Sequence, residues 1–362
     1  MKRVSGILAD NDIQTLIHND ILKALWSFDA DQIQPASLDL RLGHKAYRIR
    51  ASFMPGPNVK VLNKLEQLKL HEFDLQNGAV LETGCVYVVP LLESLALPEI
   101  LSAVANPKSS TGRLDIFTRI ITDNAQEFDK ICAGYHGSLY LEISPRTFPI
   151  LVRTGSRLSQ LRFRKGHSYL NEIELHALHT DQMLISDDLP NISKDGIGLS
   201  INLKGDESGL IGYRGKHHTS VIDIDKHAAA HILDFWEPLF DRGKRELVLD
   251  PDEFYILVSR ETVHVPPLYA AEMTPFDPLV GEFRVHYAGF FDPGFGHMEA
   301  GGKGARAVLE VRSHEVPFIL EHGQIIGRLV YEHMLNRPLT LYGHNAGSHY
   351  QAQGLKLSKH FK

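Results

Sequence analysis

A chain of 362 residues with 43% hydrophobic content can bury two or three cores of ordinary size, and its formal net charge of −6 leaves no global field for nucleic acid. No run of about 18 apolar residues occurs and the amino-terminal stretch lacks an apolar signal core, so neither a membrane span nor secretion is expected, and the cytoplasm is the expected compartment. Two cysteines, Cys85 and Cys132, are too few for a disulfide framework or a Cys-x-x-Cys metal site. Among the 20 histidines, His227 and His231 are four apart and His176 and His179 three apart. Two ligands without a third read more readily as surface histidines than as a metal site.

In chain order, residues 10–26 place Ile13, Leu16, Ile17, Ile21, Leu22 and Leu25 on one stripe, with Asp10 or Asn11 as N-cap. That spacing predicts an amphipathic helix. Residues 33–43 alternate Leu38, Leu40 and Leu42 with Ser37, Asp39 and Arg41, which predicts a half-buried strand. Residues 52–78 look irregular. Short strands are expected over 79–81, 85–91, 139–143, 148–152 and 158–163, separated by Gly, Pro and Asn/Asp turns in the manner of an all-β barrel or sandwich. Residues 187–215 read as a connector with short strands, 226–240 as a short helix ended by Pro238, and 336–362 as a polar tail.

A shift of 168 positions lays Tyr87 on Tyr255, Pro98 on Pro266, Pro107 on Pro275, Glu142 on Glu310, Pro149 on Pro317, Gly155 on Gly323 and Phe163 on Tyr331. One register throughout implies a tandem duplication. The expected organisation is a helical segment at 1–32, a first β-rich copy at 33–170, a connector at 171–194, a second, degenerate copy at 195–333 and a tail at 334–362. The copies differ in chemistry. Where the first has Pro107-Lys108-Ser109-Ser110, the second has Pro275-Phe276-Asp277-Pro278, with neither a hydroxyl pair nor a cation.

Consecutive hydroxyls and backbone amides flanked by Lys108 and Arg113 suit phosphate oxygens, although a plain hydrophilic turn has the same composition. In Leu139-Tyr140-Leu141-Glu142-Ile143 the period of two puts Glu142 opposite the apolar trio, facing a cleft or simply water. Arg162 and Arg164 alternate toward one side, as anion ligands or as charges guarding a sheet edge.

Five segments in order resemble the dCTP deaminase family: IQPASLDLRLG at 33–43, KSSTGR at 108–113, LYLEI at 139–143, GSRLSQLRF at 155–163 and HYQAQG at 349–354. The resemblance is to a long, duplicated form within the trimeric dUTPase superfamily. It implies a mainly β fold, a tandem pair of dUTPase-like β-barrel or jelly-roll-type domains with a few short helices. It also implies hydrolysis of dCTP to dUTP and ammonia in pyrimidine deoxynucleotide synthesis, without zinc and with Mg2+ on the triphosphate. Independently, zinc deaminases need H-x-E with P-C-x-x-C, and here His297-Met298-Glu299 has no such partner.

By the same resemblance Glu142 is the general base, Arg113 and Ser109 orient water and base, and Lys108, Ser110, Gln160 and Arg162 bind substrate. Tyr350, Gln351 and Gln353 belong to a tail that closes over the nucleotide. The family's I-D-P-G-F turn is distorted in the first copy and survives better at Phe291-Asp292-Pro293-Gly294-Phe295 of the second. Asp292 and Glu310 are therefore candidates for a composite site, Glu310 being otherwise a relic. The expected partners are dCTP and dUTP, dTTP as an inhibitor, and further copies of the chain in a trimer-like homo-oligomer. The rival readings are a dUTP diphosphatase or bifunctional enzyme, and a non-catalytic nucleotide-binding regulator.

Overall fold

Alternating apolar side chains and frequent turn residues fold the chain mainly into β-strands, as seen in a computed structural model that describes residues 3–187, 190–275, 283–285, 289–313, 316–343, 350–351 and 353–362. Residues 276–278 of the second copy and 348, 349 and 352 of the tail lie outside these. In the first half one sheet runs Lys130–Ile131, Leu101–Pro107, Ser159–Lys165, Ser37–Leu40, Ile33–Gln34. Its companion runs Ile116–Thr122, His136–Pro145, Val86–Ala96, Lys45–Ile49, Lys69–Asp74. The second half has the same two orders: Phe290–Phe291, Tyr269–Pro275, Ile325–His333, Gly196–Ser200, Ile192–Ser193, and Phe283–Val285, Ala305–Ser313, Phe254–Val263, Leu210–Gly215, Trp236–Phe240. Even the pairing repeats, with Phe163 opposite Ala103 in one half and Tyr331 opposite Ala271 in the other.

Local elements depart from the sequence expectation in four places. The first helix covers only Asp10–His18, because Asp20 takes a left-handed φ of 57° and Leu22–Ala24 becomes a strand on Val86–Ala96. Residues 52–78 are not irregular throughout: Val61–Leu68 is a helix and Lys69–Asp74 a strand. Within 171–194, Glu172–Gln182 is helical, started by a capping box in which the Glu174 amide donates to Asn171 Oδ1 at 3.0 Å. Of 226–240 only Ile232–Phe235 is helical; Trp236–Phe240 is an edge strand, where Pro238 is tolerated. Among the described residues no helix is long and apolar enough to cross a membrane.

The halves are joined by apolar burial. The first-half core extends without a break to Trp236, Phe254, Ile256, Val258 and Val308 of the second half. Phe148 packs on Trp236 with ring centroids 5.2 Å apart, and Trp236 on Phe254 at 6.0 Å. Such a seam fixes one half against the other and creates the cleft described next.

Candidate active site between the two halves

The strand Leu101–Pro107 ends at a proline and the chain turns through one helical turn, Ser109–Gly112, before Arg113. The turn closes on Asp115 at φ 55°, a left-handed conformation that Asp adopts more readily than most residues. Its backbone is tied down by the Lys108 amide donating to Leu158 O at 3.0 Å. The opposite wall is the second-half strand Ala305–Ser313 and the turn after Phe291. There Gly296, at φ 65°, brings its backbone so close to Val263 that a Cβ would lie 2.1 Å from the carbonyl oxygen. Between them lies a cavity of about 460 Å³.

Two charged groups from different halves meet in this cavity. Arg113 Nε lies 3.9 Å from Glu310 Oε1, both side chains buried. Nη1 of Arg113 donates to the Lys356 carbonyl at 2.9 Å and Nη2 to Gln353 Oε1 at 3.0 Å, while the guanidinium stacks 3.9 Å from the centre of the Tyr350 ring. Burial pushes the Glu310 carboxyl up to about 7, against the opposing pull of Arg113. Asp292 lies on the same wall; burial raises its pKa and the Arg162 charge opposes the rise.

Of the residues singled out from sequence, Lys108, Ser109, Ser110, Arg113 and Gln160 of the first half line the cavity together with Asp292 and Glu310 of the second half and Tyr350 and Gln353 of the tail. Glu142, Arg162 and Gln351 do not. The expectation that Glu142 shares the Arg113 cleft is corrected: it is 1% exposed and binds Arg119, whose Nη2 and Nε donate to its Oε1 at 2.6 and 3.0 Å. The physical reason is the helix Val61–Leu68, whose Val61 and Leu65 pack with Val88, Ile121 and Tyr140 and cover the sheet face that alternation alone leaves open. Of the two readings of Glu310, a composite-site residue or a relic, the geometry favours the first, since Glu310 is the acid beside Arg113.

Arg162 is not an anion ligand here. It is fully buried, donating to Asp292 Oδ1 at 3.0 Å and to the Ala271 carbonyl at 3.1 Å, and so supports the Asp292 wall from behind. Gln351 joins the tail to the same wall: its Oε1 accepts from the Gly296 amide at 3.0 Å, and its Nε2 donates to the carbonyls of Gly294 and Ala300 at 3.2 Å each.

Sequence reasoning missed Asp39, Arg157, Tyr342 and Lys359, which also line the cavity. Lys108 pairs with Asp39, and Arg157 lies 3.7 Å from the same carboxylate. Burial and the nearby Lys108 charge lower the pKa of Lys359. Arg157 stood within the GSRLSQ segment and Asp39 within IQPASLDLRLG, so membership of a family-like segment was the available signal for both.

The chain end is anchored to both halves. Ser358 Oγ donates to the Ser110 carbonyl at 2.8 Å, His360 bonds through Nε2 to the Ile224 carbonyl at 2.9 Å, and Phe361 packs on Phe235 and Trp236 at 5.5 and 5.8 Å. Phe361→Ala is therefore expected to raise the KM for nucleotide about tenfold, since a ring contact of this kind contributes about 1–2 kcal/mol to docking of the tail. Steady-state kinetics, with the rate of tail proteolysis measured alongside, check this. Among the described residues no group of three or more His, Cys, Asp or Glu is arranged to hold a metal ion.

Comparison with known proteins identifies the family. Residues 4–167 match the model of the 2'-deoxycytidine 5'-triphosphate deaminase N-terminal domain, and residues 171–361 that of its C-terminal domain. The chain belongs to the dCTP deaminase family. It is similar to the crystal structure of 2'-deoxycytidine 5'-triphosphate deaminase from Agrobacterium tumefaciens, at 74% identity and a TM-score of 0.88 over 92% of this chain and 100% of that one. It is also 30% identical over 162 residues to "dCTP deaminase, dUMP-forming" of Sulfurihydrogenibium sp., covering 44% of this chain and 83% of the relative. With the dCTP deaminase of Haloarcula marismortui it shares 34% over 163 residues, 43% and 79% of the two chains. Family membership carries the activity: a hydrolase that deaminates dCTP, acting on the C–N bond of a cyclic amidine.

Proposed function

We propose that dCTP is deaminated between the two halves of one chain, with Glu310, not Glu142, as the general base. The observation that carries this reading is the Arg113–Glu310 juxtaposition in the cavity between the halves. A carboxyl held near 7 can take a proton from water and give it back, and general acid–base catalysis is most effective at such a value. Water loses a proton to Glu310 as its oxygen adds to C4 of cytosine. That proton passes to N3; the added hydroxyl then gives up its own proton through the same carboxylate to the amine, the C4–N bond breaks as the C4 carbonyl forms, and ammonia leaves. Arg113, held in place by Gln353, Lys356 and Tyr350, keeps Glu310 ionised often enough to act.

The hydroxyls and amides of Ser109 and Ser110, with Gln160 and Lys108, take the phosphate oxygens in this reading. Triphosphate binding exchanges the Lys108–Asp39 contact for one to phosphate. Magnesium arrives on the nucleotide and is held by its oxygens. The paired sheets of each half are read as two dUTPase-like β-domains, of which the first keeps the cradle and the second the base.

A second reading has one specific observation in its favour: the name of the Sulfurihydrogenibium relative ends in "dUMP-forming", whereas that of the Haloarcula relative does not. Incubation with dCTP and magnesium, with ammonia and pyrophosphate measured separately, decides between them. Ammonia alone is the expected result. Both products would make the chain bifunctional, and neither would return it to a nucleotide-binding regulator.

A further inference from the structure

Two residues beyond each member of the Arg113–Glu310 pair, a second ion pair crosses between the halves. The Asp115 carboxylate accepts from the Arg312 guanidinium and, at 2.5 Å, from Thr147 Oγ1; Arg312 Nη2 also donates to Thr147 Oγ1 at 3.1 Å and Nη1 to the Asp252 carbonyl. Asp115, Thr147 and Arg312 are all buried. On the strand Ala305–Ser313, Arg312 and Glu310 are two apart and so project from one face. On the other side, Asp115 ends the turn that carries the cradle, its amide donating to Gly112 O at 2.9 Å.

The internal repeat shows that this contact is not a general feature of the fold. The first-half position matching Arg312 is Ser144, and the second-half position matching Asp115 is Phe283, so the converse pair cannot form. The pair occurs only where a cradle meets a buried glutamate. Buried ion pairs are weak stabilisers relative to apolar packing, and their best-attested use is to fix register.

We propose that Asp115 and Arg312 are positioning residues that hold Glu310 in register with Arg113 across the two halves. The proposal rests on Arg113 and Glu310 being the working pair. Neither positioning residue lines the cavity. Substrate affinity, set by the cradle and the tail, is therefore largely independent of them, whereas the chemical step is not. Loosening the pair lets Arg113 drift from Glu310, which removes the charge that opposes the effect of burial on that carboxyl.

The test is the kcat, the KM and the pH profile of kcat/KM for Arg312→Gln, Arg312→Lys and Thr147→Val, beside Glu310→Gln. Arg312→Gln is expected to lower kcat about 10- to 100-fold, the size of effect that misplacing a reacting group by about 1 Å produces, with KM changed less than about threefold. Its acid limb moves to higher pH by about half a unit or more. Arg312→Lys restores part of both, and Thr147→Val, which keeps both charges, shifts kcat and the limb in the same direction to a smaller extent. The Thr147→Val result stands by itself if Arg312→Gln does not fold. Folded variants with wild-type kcat and pH profile and only a lower melting point overturn the proposal. If Glu310→Gln is inactive while these variants behave as wild type, the positioning role alone fails; if Glu310→Gln stays active, the base assignment falls and takes the positioning role with it.

Discussion

Glu310→Gln is expected to lower kcat for dCTP deamination by about 10²–10⁴-fold, the range that a positioned general base supplies, and at the same time to make the protein more stable at pH 8. Both effects come from the same burial. In the folded chain the Glu310 carboxyl titrates at about 7, above its usual value of 4.5. Between those two values the folded protein holds a proton that the unfolded chain has released, so stability falls as pH rises through this window. Above it the ionised carboxylate costs up to about 3 kcal/mol, which glutamine does not incur. Urea unfolding should show the variant gaining on wild type at pH 8 and losing that gain near pH 4.5. Glu142→Gln is expected to behave differently, with kcat within about threefold of wild type and a loss of about 1 kcal/mol. Its partner Arg119 is 25% exposed, and solvent screening keeps that loss small.

Arg162→Leu is expected to destabilise the chain by about 3–5 kcal/mol, the range found when one member of a buried charge network is removed. Arg162 has 0% exposure and faces two carboxylates, Asp292 at 3.0 Å and Glu332 at 3.8 Å, with the Phe290 ring 4.0 Å from its guanidinium carbon. Leucine leaves Asp292 facing a low-dielectric space, while Glu332 keeps Arg164 at 2.5 Å and Ser168. Asp292, already raised by burial, then loses the charge that opposes the rise and takes up a proton more readily. Because Asp292 lines the cavity, KM should rise in the fraction that still folds. Denaturant midpoints and KM measured on the same preparation check both parts.

The sequence made the repeat legible because its prolines, glycines and aromatics sit where the backbone demands them, and a constant offset preserves those demands in both halves. That Lys108, Ser109 and Ser110 stand together at one site was legible through the family resemblance, since the composition of the turn alone fits a plain hydrophilic turn equally well. The acid was not. Alternation along Leu139–Ile143 tells which way Glu142 points but not what covers that side, and the covering helix Val61–Leu68 lay in a stretch with no clear period. Glu142 and Glu310 are interchangeable in the linear repeat. They differ because Arg119 neutralises one within its own half, while Arg113 reaches the other across the seam formed by Phe148, Trp236 and Phe254. Arg162 was read as an anion ligand because a strand pattern cannot distinguish a surface arginine from one buried under a second copy of the same fold.

The central claim is that one chain supplies both Arg113 and Glu310 to a single site. It is tested most directly by co-expressing Arg113→Ala and Glu310→Gln chains, each inactive alone, and measuring ammonia release from dCTP by the mixed population. A site built within each chain predicts no recovery at any ratio of the two. Restored deamination would mean that Arg113 of one chain works with Glu310 of another, and would contradict the account.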